Sequence, residues 1–183
     1  IDVEQVRPNG VHVLHDLAER VRAEDALFGL AYDFDADRGN VTYVDASGAV
    51  QIPSPQAAAA INTAIALAVH RRKGDARQAV VVASDATSCR VGRIAAAFGA
   101  EVVEVETGEI SVGTAMRDSE RRGLRAVVGV EGPNGGTIFA GTTCRDGTLV
   151  GAGALLASAD AELRAIISQA LTPGRAMSPG LSG

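Results

Sequence analysis

The sequence contains few aromatic residues and very little cysteine. Aromatic residues make up 3% of the 183 residues, tryptophan is absent and cysteine occurs twice. Cys89 and Cys144 are far apart in the sequence, so neither a disulfide scaffold nor a zinc motif is indicated. This cysteine usage fits a reducing compartment, and we expect a cytoplasmic protein. The scarcity of tyrosine and tryptophan also argues against an aromatic recognition surface.

An excess of basic residues and a long apolar run are also missing. The formal net charge is −5, which argues against a nucleic-acid partner because phosphate-backbone binding needs a basic face. No apolar run reaches the ~18 residues of a membrane-spanning helix, and the sequence does not open with the basic and then apolar order of a signal peptide. We therefore predict no nucleic-acid partner and no membrane partner.

Strand and helix patterns alternate in the second half of the chain. With 46% hydrophobic and 21% charged residues, the chain can bury a core in closely packed α/β layers. The alternation predicts a largely parallel sheet with right-handed crossovers, and functional groups in the loops that follow its strands. We therefore predict a mixed, largely parallel, three-layer α/β/α fold, with strands at 79–83, 101–106 and 125–130 and helices at 87–98, 112–122, 148–157 and 159–171.

A hairpin and a proline-rich turn divide the chain. The first part has a helical pattern at 11–25 and an apolar strand at 26–32, expected to be covered on both faces. Strands at 41–44 and 50–52 flank a turn, and Ser54 and Pro55 then open a long helix over 56–72 that ends at Gly74. The predicted units are residues 1–50, residues 51–171 and a linker or tail at 172–183.

Three carboxylates at alternate positions follow the first apolar strand. Asp33, Asp35 and Asp37 lie in the segment Asp33-Phe34-Asp35-Ala36-Asp37-Arg38, and in an extended or open-turn backbone alternate side chains fall on the same side. These ligands are all oxygen, which favours Mg²⁺ over zinc. Arg38 suits a phosphate or a role in holding the carboxylates. The sequence therefore predicts a magnesium site at Asp33, Asp35 and Asp37.

The acidic segment has three other interpretations. A solvated acidic turn capped by arginine stays open, because Asp-rich turns are common. An EF-hand loop would require glycine and glutamate where Arg38 and Val44 stand. An aspartyl nucleophile would explain the strand end, but leaves Asp37 and Arg38 without a role.

Two glycine-rich loops follow later strands. The first begins with Thr107 and Gly108, and the second runs from Glu131 through Asn134 to Gly136. A glutamate can accept two hydroxyl hydrogen bonds and an asparagine can both donate and accept, so a hexose is a natural ligand of the second loop. A tight turn between two strands explains the same residues equally well.

Four motifs in order resemble the α-D-phosphohexomutases, the superfamily of phosphoglucomutase, phosphomannomutase and phosphoglucosamine mutase. Asp33-Phe34-Asp35-Ala36-Asp37-Arg38 looks like their D-G-D-A-D-R metal loop, with Phe34 in place of a small residue. Thr107-Gly108, the loop at 129–136 and Arg145-Asp146-Gly147 resemble their later motifs. The resemblance covers about residues 8–171, and makes residues 1–50 the end of a second domain and residues 51–171 a third domain.

This resemblance implies a reversible transfer of phosphate between the 1- and 6-oxygens of a hexose phosphate through an enzyme phosphoserine. Asp33, Asp35 and Asp37 would hold Mg²⁺ and Arg38 would be catalytic. Thr107, Gly108, Glu131 and Asn134 would bind substrate. Because the two loops fall in different predicted domains, we expect changes at Glu131 to leave Mg²⁺ affinity untouched.

The sequence departs from the superfamily in two motifs. No serine precedes a histidine, so the T-x-S-H-N-P serine loop is absent, as is the terminal R-x-S-G-T-E phosphate loop. We therefore expect a fragment, inactive by itself, whose partners are the remaining domains of the same enzyme and a hexose phosphate. A non-catalytic Mg²⁺ or sugar-phosphate binding module, and a structural α/β domain with an incidental acidic turn, are the alternatives.

Overall fold

Two β-sheets and six helices make up the part of the protein that its structure, a computed structural model, describes: residues 6–45 and 47–171. The predicted tail at 172–183 lies outside these residues. In chain order the elements are α1 (His15–Ala23), β1 (Phe28–Tyr32), β2 (Gly39–Val44), β3 (Val50–Gln51), α2 (Pro55–Lys73), β4 (Ala79–Ser84), α3 (Cys89–Ala97), β5 (Glu101–Val105), α4 (Glu109–Arg121), β6 (Arg125–Glu131), β7 (Gly136–Phe139), α5 (Gly147–Ala159) and α6 (Ala161–Leu171).

The first sheet is antiparallel, in the order β1-β2-β3. Gly29 lets α1 approach it closely, since a Cβ there would lie 2.7 Å from the Val21 side chain. Leu30, the next residue along the strand, packs against Gly151 of α5. The expectation that β1 is covered on both faces is confirmed, because neighbouring residues of a strand face opposite sides and α1 lies against Gly29 while α5 lies against Leu30. Strand β1 is nevertheless an edge strand, and Tyr32 at its end is 40% exposed.

The second sheet has the order β5-β4-β6-β7, with β4 parallel to β5 and β6 and with β7 antiparallel to β6. Val81 and Ala83 of β4 face a core shared with α2 and α3. Val80 and Val82 face the opposite core, which α4 completes. This alternation confirms the predicted three-layer α/β/α arrangement. Strand β7 was not predicted, and it makes the loop after β6 a hairpin turn.

Local hydrogen bonds set the helix starts. Helix α1 begins at His15 rather than at Val11, because the Leu14 amide donates to His12 Nδ1 at 3.0 Å and holds a turn there. Helix α2 starts as predicted, with Ser54 accepting from the Ala57 amide, and ends at Gly74 in the left-handed conformation. Helix α4 begins at Glu109, before the predicted Val112.

Helix α5 packs against both sheets. It contacts β1 and β2 of the first sheet, and α2 and β7 of the second unit. The predicted division at residue 50 therefore separates a sheet from one of the helices that cover it, and it stays a prediction. No helix within the described ranges has the length and apolar character needed to cross a membrane.

Candidate metal and sugar site

The acidic segment forms a tight loop between β1 and β2, here called the metal loop (residues 33–38). The Ala36 amide donates to the Asp33 carbonyl at 3.3 Å, and Ala36 has a left-handed φ of 59°. One carboxylate oxygen from each of Asp33, Asp35 and Asp37 lies within 4.8 Å of the others. The structure therefore brings the three predicted ligands together.

Arg38 fixes the first of these aspartates. Its backbone amide donates to Asp33 Oδ1 at 3.1 Å and its Nε donates to Oδ2 at 2.5 Å. The Asp33 side chain is buried, which alone would raise its pKa, but the hydrogen bonds from Arg38 outweigh burial and hold the pKa of Asp33 below its usual range. Asp33 is thus kept ionised and correctly oriented by the residue that closes the loop.

Asp37 is shared between two arginines. Its carboxylate lies 2.5 Å from Nη2 of Arg145 and 3.5 Å from Nε of Arg38. Burial and the neighbouring carboxylate of Asp33 raise the pKa of Asp37, against the opposing effect of Arg145. A cation that neutralises the cluster would relieve this repulsion.

The donor set fits Mg²⁺. Around this ion neighbouring oxygens lie about 3 Å apart and opposite ones about 4 Å apart, because each Mg–O distance is roughly 2.1 Å. The three ligand oxygens lie within 4.8 Å of one another, so side-chain rotation would have to draw them closer around the ion. Each carboxylate oxygen can accept more than one interaction, so the bonds from Arg38 leave Asp33 able to bind a metal. Asp35 is exposed and can reorient freely.

The second loop (residues 131–136, here called the sugar loop) is the turn between β6 and β7. The Gly135 amide donates to the Glu131 carbonyl at 2.8 Å, and Gly135 has a φ of 73°. Asn134 Oδ1 accepts from the Gly136 amide at 2.7 Å. Asn134 therefore stabilises the turn, as the structural interpretation of this sequence predicts, and its amide nitrogen is the part of the side chain left for a ligand.

Glu131 points into the protein and is only 3% exposed. Its Oε2 accepts from Arg145 Nη1 at 3.3 Å. A Cβ on Gly136 would lie 2.5 Å from Cδ of Arg145, so glycine is needed for the arginine stem to pass. A sugar hydroxyl would reach Glu131 only beside or in place of this arginine.

Thr107 and Gly108 lie where β5 leads into α4. The Thr107 hydroxyl donates to Asp85 Oδ1 at 2.7 Å, and this bond lowers the pKa of Asp85. Gly108 precedes the first residue of α4, and Glu109, which follows it, accepts from the Arg145 amide at 2.7 Å. The predicted residues Thr107 and Gly108 are thereby tied to the same arginine through Glu109.

Arg145 joins the three loops and was not among the predicted site residues. Its guanidinium reaches Asp37, Glu131 and, at 3.6 Å, Oε2 of Glu109. The Arg-Asp-Gly motif in the sequence could have indicated Arg145 as a site residue. No pattern in the sequence identifies Glu109 as a partner of Arg145. Together the site holds five carboxylates and two guanidinium groups, an excess of negative charge that favours a bound cation.

Comparison with protein families gives a match over most of the chain. Residues 60–172 match the family described as phosphoglucomutase/phosphomannomutase, alpha/beta/alpha domain III. This region contains the second sheet, the sugar loop and Arg145. The metal loop precedes it.

Solved structures share the fold. A phosphoglucomutase/phosphomannomutase family protein from Burkholderia thailandensis is 22% identical with a TM-score of 0.65, over 87% of this chain and 32% of that chain. The phosphoglucomutase pp63/parafusin from Paramecium is 22% identical with a TM-score of 0.56, over 85% and 27%. The N-acetylphosphoglucosamine mutase from Aspergillus fumigatus, in complex with glucose 1,6-bisphosphate, is 16% identical with a TM-score of 0.52, over 83% and 36%.

The chain spans about a third of the length of these solved proteins. Their alignments nevertheless include more than four fifths of the present chain and so extend beyond the region matched by the domain III family. Among curated proteins, no sequence matches the chain.

Proposed function

The chain belongs to the phosphoglucomutase/phosphomannomutase family, and from this premise we propose that it supplies the metal-binding and sugar-binding parts of a phosphohexomutase. The reaction is the reversible transfer of phosphate between the 1- and 6-oxygens of a hexose phosphate. The phosphoserine that carries the phosphoryl group lies on another domain of the same enzyme, outside this chain. One observation carries the proposal: the metal loop and the sugar loop meet at a single arginine in a member of this family.

In this proposal, the residues of the metal loop bind Mg²⁺ and help to position the phosphoryl group. Asp33, Asp35 and Asp37 would hold Mg²⁺, and Arg38 keeps Asp33 ionised and would add its positive charge beside the phosphoryl group. Bound Mg²⁺ supplies neutralisation of the charge on that group as one phosphorus–oxygen bond breaks and another forms. The protein's contribution to this chemistry is positioning and electrostatics.

The residues of the second unit hold the sugar. Glu131 accepts from hexose hydroxyls, Asn134 donates from its amide nitrogen, and Thr107 and Gly108 line the neighbouring loop. The solved A. fumigatus mutase, which shares the fold, is complexed with glucose 1,6-bisphosphate, and a ligand of this class suits the hydroxyl-binding groups here. We also propose a cytoplasmic location, in keeping with two exposed cysteines that form no disulfide.

Titration of the chain with Mn²⁺, followed by water-proton relaxation, tests the metal assignment. We expect one site that Asp35→Asn removes without loss of stability, because Asp35 is exposed. Asp25→Asn is the matched control: Asp25 is also exposed, lies outside the loop, and has a left-handed φ of 49° that asparagine tolerates well. Undiminished binding in Asp35→Asn would remove the metal assignment.

Kinetics of the enzyme that contains this chain test the sugar assignment. Glu131→Gln keeps the size of the side chain but loses charge-assisted hydrogen bonds, each worth about 1.5–3 kcal/mol, so kcat/KM should fall by roughly ten- to a hundredfold. Glu104→Gln, at an exposed position of β5, is the control. Normal kinetics in Glu131→Gln would exclude this residue from the sugar site.

A further inference from the structure

The two residues that follow Arg145 in the sequence hold it in place. Asp146 caps α5, with Oδ1 accepting from the Thr148 amide at 2.8 Å and from the Leu149 amide at 3.1 Å. The Gly147 amide donates to the Ala36 carbonyl of the metal loop at 3.1 Å. The start of α5 is therefore fixed against the metal loop, and the stem of Arg145 starts from a defined point between the loops.

The guanidinium of Arg145 contacts three carboxylates at unequal distances. Nη2 lies 2.5 Å from Asp37 and 3.6 Å from Glu109, and Nη1 lies 3.3 Å from Glu131. Nε is buried without a hydrogen-bond partner. The guanidinium therefore lies closer to the carboxylate of the metal loop than to either glutamate.

We propose that Arg145 is a positioning residue that couples cation binding at the metal loop to the carboxylate of the sugar loop. This inference rests on the proposed function of both loops. A cation at Asp37 weakens the hold of Asp37 on the guanidinium, which then binds Glu131 and Glu109 more strongly. Conversely, when Glu131 loses its charge, the guanidinium of Arg145 binds Asp37 more strongly, and its positive charge there lowers the affinity of the metal loop for a cation.

The coupling is reciprocal by thermodynamic linkage. The free energy by which the cation strengthens the contact between Arg145 and Glu131 equals the free energy by which that contact strengthens cation binding. The expectation that changes at Glu131 leave Mg²⁺ affinity untouched is therefore replaced by one of coupling. In a phosphohexomutase of this kind, metal occupancy would set the orientation of the sugar-binding carboxylate. A purely structural arginine would hold the loops together without such a link.

A double-mutant cycle in Mn²⁺ affinity tests the inference on the chain itself. Glu131→Gln should weaken Mn²⁺ binding by about tenfold, within the usual range of coupling between sites. Arg145→Met should tighten Mn²⁺ binding, because a positive charge beside Asp37 is lost. In the Arg145→Met background the effect of Glu131→Gln should shrink to about threefold or less, since only the through-space influence of the carboxylate remains.

Two further variants keep the test decisive. Arg145→Lys retains the charge but cannot bridge two carboxylates as a planar guanidinium does, so it should reduce the coupling even if Arg145→Met fails to fold. Arg117→Met removes an exposed arginine of α4 that contacts only Thr114 among the hydrogen bonds described, and should change nothing. Equal effects of Glu131→Gln in all backgrounds would overturn the inference alone, whereas a wild-type chain that binds no Mn²⁺ would overturn the proposed function and the coupling with it.

Discussion

The metal loop and the sugar loop are stabilised in different ways. In the metal loop, charged side chains make the contacts: Arg38 binds Asp33 through two donors, and Arg145 binds Asp37. In the sugar loop, backbone groups take part in most of the contacts besides the ion pair of Glu131 with Arg145: Gly135 has a left-handed φ, and the Gly132 amide donates to the Thr87 hydroxyl at 3.0 Å. The first loop is set by charge and the second mainly by shape.

This difference indicates how each loop can respond to a ligand. Ion pairs can be exchanged for a cation with little backbone movement, so the metal loop can change partners while keeping its path. A turn fitted against neighbouring backbone keeps its path whatever is bound. Both loops contact Arg145: its guanidinium binds a carboxylate of each loop, and its aliphatic stem passes Gly136 of the sugar loop.

The largest loss of stability is expected at Gly147, where the start of α5 packs closely against the backbone of the metal loop. A Cβ on Gly147 would lie 2.7 Å from the Ala36 carbonyl oxygen and 2.8 Å from the Arg38 carbonyl carbon, and these are backbone atoms that cannot rotate away. Gly147→Ala should therefore lower the free energy of unfolding by about 3 kcal/mol, measured by urea denaturation. Such a loss would limit the contrast between the loops, because it would show that shape also holds the metal loop.

Gly153→Ala in the same helix is the matched control. A Cβ there meets only the Ile65 side chain, at 3.5 Å, and alanine favours a helix over glycine by about 1 kcal/mol. Unchanged or increased stability is expected. If Gly147→Ala were equally harmless, the close approach of α5 to the metal loop would not exist in solution.

A smaller loss is expected from the charge network of the metal loop. Arg38→Met leaves the buried carboxylate of Asp33 without its guanidinium partner. Breaking a buried ion pair is costly, but Arg38 is partly exposed, so we expect a loss of about 2 kcal/mol in unfolding free energy. Arg38→Lys should recover part of it. Full stability in Arg38→Met would mean that charge does not set this loop.

The smallest effect is expected at the turn of the sugar loop. Asn134→Ala removes the Oδ1 acceptor of the Gly136 amide, a neutral hydrogen bond worth about 1 kcal/mol. Asn134→Asp keeps the acceptor and should keep the stability, while losing the amide nitrogen proposed to donate to the sugar. Thermal melts and sugar-phosphate binding on the same samples separate the two roles, and a stable Asn134→Ala variant would contradict the structural one.

The elements of the second unit could be predicted from sequence because their signals are local. The apolar run of β4 and the Ser54 and Gly74 boundaries of α2 each reflect a short-range preference for a strand, a cap or a left-handed residue. Strand β7 could not be predicted in the same way, since Gly136–Phe139 is short and is stabilised by pairing with β6. The position of β1 at a sheet edge could not be predicted either, because a continuous apolar run indicates cover on both faces but does not tell which strands pair with it.

In the candidate site, too, features that depend on local spacing could be predicted, and features that depend on long-range packing could not. The three aspartates were predicted as one group because their spacing is local, and the structure brings them together. The contact between Arg145 and Asp37 joins residues far apart in the chain, and depends on how α5 lies against the first sheet. The role of Glu109 depends on the same long-range packing, so no local pattern could indicate it.

The most direct test of the central claim, that the metal loop is a cation site facing the sugar loop, is anomalous scattering from a crystal of the chain soaked in Mn²⁺. The account predicts one peak at roughly 2 Å from an oxygen of each of Asp33, Asp35 and Asp37, lost in crystals of Asp35→Asn. A peak elsewhere, no peak at all, or a peak that persists in Asp35→Asn would contradict it.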